Sequence, residues 1–140
     1  MVDRPAIAVG MQLPPFSREG TYHHWNRFAA ANYEYAEHHM DDEYARREGF
    51  GRAIGMAPLM SAYMHCMLRE WIGLDDATIE SVRIRLRAPF LRGTTLTAGG
   101  VVKDVLHEGD GRVRVHLDLW ADSDPNTRLL EGSATVVRVE

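Results

Sequence analysis

The chain has a single cysteine, no apolar stretch long enough to cross a bilayer and no surplus of positive charge. Each shortage removes a class of protein. Cys66 alone cannot close an intrachain disulfide, which fits a reducing compartment and a cytoplasmic address. The most apolar run, residues 54–68, is interrupted by Ser61 and His65 and falls short of the roughly 20 residues that a transmembrane helix needs. Met1-Val2-Asp3-Arg4-Pro5 does not lead from a basic region into an apolar run and a cleavage site, so no secretory leader is expected. A net charge of −4 speaks against nucleic acid, whose phosphates call for a basic surplus. Repeats, low-complexity tracts and domain linkers are also missing. What is there suits one packed domain over residues 1–140, with 45% apolar and 26% charged residues.

The first twenty residues, with Pro5, Pro14 and Pro15, read as loop with one short strand. Thr21 can cap a helix over residues 22–31, where Trp25, Phe28 and Ala29 recur at helical spacing. Residues 32–40 follow neither period and read as loop. Asp41 and Asp42 open a short helix that carries Arg46 and Arg47 in its last turn and stops at Gly49, a charge order matching the helix dipole. The next helix starts near Pro58 and runs to Trp71, before Gly73. Apolar residues cover most of its circumference, Cys66 among them, so it should be enclosed. Four strands follow. Residues 79–90 alternate Val82, Ile84 and Leu86 against Arg83, Arg85 and Arg87. Residues 94–107 make a long strand, with a bulge expected at Gly99-Gly100. Residues 112–122 alternate Val113, Val115, Leu117 and Leu119 with polar neighbours, and residues 128–139 close the series. One buried helix and an antiparallel meander predict an α+β architecture in which the sheet wraps the helix.

Residue register then narrows the field. Glu34-Tyr35-Ala36-Glu37-His38-His39 is followed by Asp41, Ala45, Gly49-Phe50 and, at the opening of the central helix, Met56-Ala57. This spacing resembles, without gaps, the motif of the MaoC-like (R)-specific enoyl-thioester hydratases and dehydratases. That motif runs Asp, any residue, Asn, Pro, any residue, His, then Gly-Phe, then His-Gly. Arg87-Ala88-Pro89-Phe90 and Arg92-Gly93-Thr94-Thr95-Leu96 look like the family's strand corner, and Gly132-Ser133-Ala134-Thr135-Val136 like its last strand. The chain departs from the motif at Glu34, Ala36, Glu37 and Ala57. The resemblance covers essentially the whole chain and implies a single hot-dog fold, an antiparallel sheet around a long central helix.

The resemblance implies addition or removal of water at the 2,3-position of a thioester of coenzyme A or acyl carrier protein. A carboxylate and an imidazole hold the water, which puts Glu34 and His39 in the catalytic roles. Register favours His39 over its neighbour His38. Backbone N–H groups at the start of the central helix polarise the thioester carbonyl, with Ala57 first and Gly55 second as donors. Tyr33, Tyr35, Met56 and Met60 are candidates for the acyl pocket, where methionine suits an irregular group. No cofactor is expected. Assembly as a homodimer, or as a heterodimer with another hot-dog chain, follows from the family. Blander readings stay open: Glu34 and His39 as a plain loop ion pair, the tyrosines as packing, the arginines as a solvated sheet face. Adjacent His23-His24 and His38-His39 lack the spacing that puts two imidazoles on one helical face, so no metal is expected. Two other functions remain alternatives. One is a hot-dog acyl-CoA thioesterase, and the other a non-catalytic acyl-binding subunit of a two-chain hydratase.

Overall fold

The computed structural model describes residues 6–140. The Met1–Pro5 segment, read above for a leader, lies outside the described residues. The elements run β1 (Phe16–Glu19), α1 (Tyr22–Asn32), a 3-10 turn (Glu37–His39), α2 (Asp42–Arg47), α3 (Ala57–Ile72), β2 (Ala77–Leu86), β3 (Thr95–His107), β4 (Arg112–Ser123) and β5 (Thr127–Val139). The strands form one antiparallel sheet in the order β1-β3-β4-β5-β2, with β2 on a free edge. No described helix is long and apolar enough to cross a membrane.

Helix α3 lies against the inner face of this sheet. It starts with Pro58 in its first turn and stops at Gly73, whose positive φ of 88° suits the missing side chain. Leu59, Met60, Tyr63, Met64, Met67, Leu68 and Ile72 are buried on one broad face. They meet the inward residues of β4, Val113, Val115, Leu117 and Leu119, in the same apolar cluster. Burying each such side chain contributes roughly 1.5–3 kcal/mol, so this contact is a large part of what holds the fold. The enclosure stops short of the expected one. Cys66 is exposed, because the sheet covers only one side of α3 and the opposite side carries small or polar residues such as Ser61 and His65.

Two strand expectations are corrected. Gly99 and Gly100 pair regularly with Trp120 and Leu119, and the register shift in β3 falls instead between Val102 and Asp104. Gly99 makes room for an aromatic ring, since a Cβ there would sit 2.7 Å from the Trp120 indole. Strand β2 begins at Ala77 and ends at Leu86, which is exposed although it alternates with the half-buried Val82 and Ile84. At the free edge nothing described lies over it.

Candidate active site

Each side chain of the site is delivered by a chain reversal. Helix α1 ends at Tyr33, whose φ of 55° is left-handed and whose N–H donates to the Ala29 carbonyl. That turn brings Glu34 back beside the 3-10 turn that carries His39. Helix α2 is capped by Asp41, whose carboxylate accepts from the Glu43 and Tyr44 N–H groups. It ends at Gly49, with φ of 98°, so that the Phe50 N–H reaches back to the Ala45 carbonyl and the Phe50 ring turns inward.

His39 is 6% exposed, and its ring is tethered. Nδ1 lies 2.7 Å from the Ile54 carbonyl. A carbonyl only accepts, so Nδ1 carries the hydrogen and Nε2 offers a lone pair. Nε2 lies 3.8 Å from Glu34 Oε1. This is too long for a direct hydrogen bond and shorter than the roughly 5–6 Å spanned by two ordinary hydrogen bonds placed in line, so a water joining both atoms would sit at a bent angle. Burial is the largest influence on His39 and pushes its pKa below the ordinary 6.5, against a smaller upward pull from the Ile54 carbonyl. The imidazole is therefore neutral at pH 7, as a proton acceptor must be. His38 faces elsewhere. Its Nδ1 pairs with Glu48 Oε2 at 2.8 Å, while its ring meets the His39 ring edge-on at 4.2 Å between centroids.

Glu34 and His39 open onto a cavity of about 470 Å³. Phe50, Ile54 and Met60 line it, together with Leu86 at the end of β2 and Ala88 and Pro89 just past it. Ala57, the first residue of α3, also lines it. The capping residue Met56 offers no side-chain hydrogen bond, and the Ala57 N–H has no protein partner among the described residues. It is a free donor in the first turn of a 16-residue helix, at the end where the helix dipole is positive.

No family model and no curated protein matches the chain. Solved structures do. The (R)-hydratase from A. caviae involved in PHA biosynthesis matches with a TM-score of 0.83 at 19% identity, over 96% of this chain and 98% of that one. A chain of the ChsH1-ChsH2 complex from Mycobacterium tuberculosis gives 0.82 at 18% identity, over 96% and 100%. The MaoC-like dehydratase from Rhodospirillum rubrum gives 0.79 at 18%, over 96% and 94%. This is the hot-dog fold of the MaoC-like hydratases and dehydratases.

Within this hot-dog fold the residues singled out from sequence separate into three groups. Glu34, His39, Ala57 and Met60 converge on the cavity, and Gly55 also lines it. Gly55 is not a free donor, however. Its N–H is spent on the Phe90 carbonyl at 2.7 Å, because residues 53–55 lie as a short strand against residues 90–92. A side chain at Gly55 would press on Phe90 at 3.0 Å and Trp25 at 3.3 Å, which accounts for the glycine. Tyr33 and Tyr35 do not line the cavity. They are 86% and 56% exposed, since the reversal that turns Glu34 inward turns its two neighbours out. Met56 is fully buried in the core rather than on the cavity wall. Sequence reasoning missed the Ile54 carbonyl and the wall at Leu86–Pro89. The first is main chain, and the second is brought in only by the strand corner. Among the described residues no cluster of three or more His, Cys, Asp or Glu converges in metal-binding fashion.

Proposed function

We propose that the chain is a hydro-lyase that adds or removes water at the 2,3-position of an acyl thioester carried by coenzyme A or acyl carrier protein. The observation that carries the reading is the neutral, Nδ1-tethered His39, with Nε2 at 3.8 Å from Glu34 Oε1 beside the unpaired Ala57 N–H. In hydration the water held between Glu34 and His39 gives a proton to Nε2 while its oxygen bonds to C3. Electrons of the double bond move towards the thioester oxygen, where the Ala57 N–H meets the growing charge. The α-carbon then takes a proton back from the pair that held the water, on the same face. Dehydration is the reverse. The apolar lining of Phe50, Met60 and Leu86 suits an apolar acyl chain, and a cavity of about 470 Å³ falls in the ordinary range for small-molecule sites.

The test is to incubate the protein with crotonyl-CoA and with a bulky enoyl-CoA, following both the enoyl absorbance and free thiol. Loss of absorbance without thiol release is expected. Thiol release would point to a thioesterase, and inertness of the purified chain, with tight binding of the acyl group, to a non-catalytic subunit.

A further inference from the structure

Asp42 makes more contacts between segments than any other carboxylate near the site. Its Oδ1 accepts from the Ala53 N–H at 2.9 Å, from Arg92 Nε at 3.0 Å and from the Tyr22 hydroxyl at 3.1 Å, while Oδ2 accepts from Arg92 Nη2. Four stretches of chain meet there: α1 through Tyr22, α2 through Asp42, the loop before α3 through Ala53, and the corner between β2 and β3 through Arg92. The Arg92 guanidinium also stacks over the Tyr22 ring at 4.9 Å. The same arginine binds twice, because its backbone N–H donates to the Ala53 carbonyl at 2.9 Å. The pair is only partly exposed, with the side chains at 20% for Asp42 and 34% for Arg92. Arg92 holds the Asp42 carboxyl well below the usual carboxylate range, so it stays ionised throughout the working pH.

In residues 53–55 every backbone N–H, and the carbonyls of Ala53 and Ile54, have partners. Ala53 donates to Asp42 and accepts from Arg92. Ile54 donates to the His38 carbonyl at 3.0 Å and accepts from His39 Nδ1, and Gly55 donates to Phe90. The Ile54 carbonyl that selects the His39 tautomer is thus one residue from the clamp, and the free Ala57 N–H is four residues from it. We propose that Asp42 and Arg92 are positioning residues, whose bidentate pair fixes residues 53–55 so that Ile54 locks His39 with Nε2 facing the cavity. The kinetic consequence rests on the hydratase reading, whereas the consequence for the His39 ring does not.

Two readouts keep these apart. In the intact protein, nitrogen NMR of the imidazoles at pH 7 should show His39 protonated at Nδ1 alone. In Asp42→Asn the amide NH₂ meets a guanidinium that has donors only, so the clamp opens. His39 should then lose its single tautomer and titrate closer to an ordinary imidazole as water reaches it, with Glu34, His38 and Glu48 its remaining ionisable neighbours. Hydration kcat should fall on the order of a hundredfold, the usual cost of a displacement near 1 Å, with KM changing little. In a His39→Ala background the same substitution should cost nothing more, since Asp42 acts through His39. A lowered melting temperature with the His39 tautomer, its titration and kcat unchanged would make the pair merely structural and overturn the proposal. Arg92→Lys, which keeps the charge and loses the planar fork, carries the same readouts if Asp42→Asn does not fold. A tautomer signal that responds as expected in a protein that hydrates no enoyl thioester would leave the clamp standing and remove the hydratase reading.

Discussion

At the scale of the residue the site turns on how one imidazole is held. His39 has a folded pKa below its ordinary 6.5, chiefly because it is buried. Its neutral, proton-accepting form therefore persists to lower pH than in a free histidine, and the acid limb of the kcat/KM profile should lie below pH 6.5 rather than at it. Stability follows the same shift. Between the folded value and 6.5 the unfolded chain binds the extra proton, so stability falls as pH drops through that window and rises with pH across it. Urea unfolding at a series of pH values should show this slope, and His39→Gln should flatten it. For activity, His39→Ala and Glu34→Gln should each remove most hydration, while His38→Ala, which breaks the pair with Glu48 and the ring contact with His39 but leaves the Ile54 tether of His39, should do much less. Full activity in the first two proteins would end the mechanism. The positions of Glu34 and His39 were legible because a motif register is local in the chain. The loss of Gly55 as a donor was not, because its partner Phe90 is distant in sequence and only the folded corner brings it near.

At the scale of the element, two glycine and helix-start positions make sharp tests. Ala57 begins α3, where proline is well tolerated and the N–H has no protein partner. Ala57→Pro should therefore fold normally yet lose roughly 10²–10³ in kcat if that N–H stabilises the oxyanion. Unchanged kcat would assign the role to another donor. Gly132 in β5 faces Ile84 of β2, and a Cβ on it would sit 1.9 Å from the Arg83 carbonyl oxygen. Backbone cannot step aside as a side chain can, so Gly132→Ala should cost at least about 2–3 kcal/mol in urea unfolding and loosen β2 first. Alternation and caps made the elements themselves readable: Thr21, Asp41, Gly49 and Gly73 all act as their chemistry suggests. The bulge in β3 was misplaced because glycine in a strand signals either a bulge or a close approach. Only the position of Trp120 decides which.

At the scale of the molecule, the open edge is the unfinished part of the structure. Strand β2 is ten residues long, contains no proline, and has no partner on its outer side among the described residues. A long regular edge of this kind is ordinarily covered. Its inward residues Ile79, Val82 and Ile84 stay half-buried, and Leu86 at its end is exposed, although their alternation suits a fully covered face. The cavity is lined at this same end by Leu86, Ala88 and Pro89. A second hot-dog chain laid along β2 would extend the sheet and cover Leu86, which lines the cavity. The protein is therefore expected to sediment as a dimer at micromolar concentration, with activity falling as dilution separates the chains. Leu86→Glu should weaken the dimer and lower activity together, and concentrating the variant should recover both. A monomer with full activity at micromolar concentration would show that one chain suffices. A monomer that is inactive alone and gains activity with a different hot-dog chain would mean that the partner is a distinct protein.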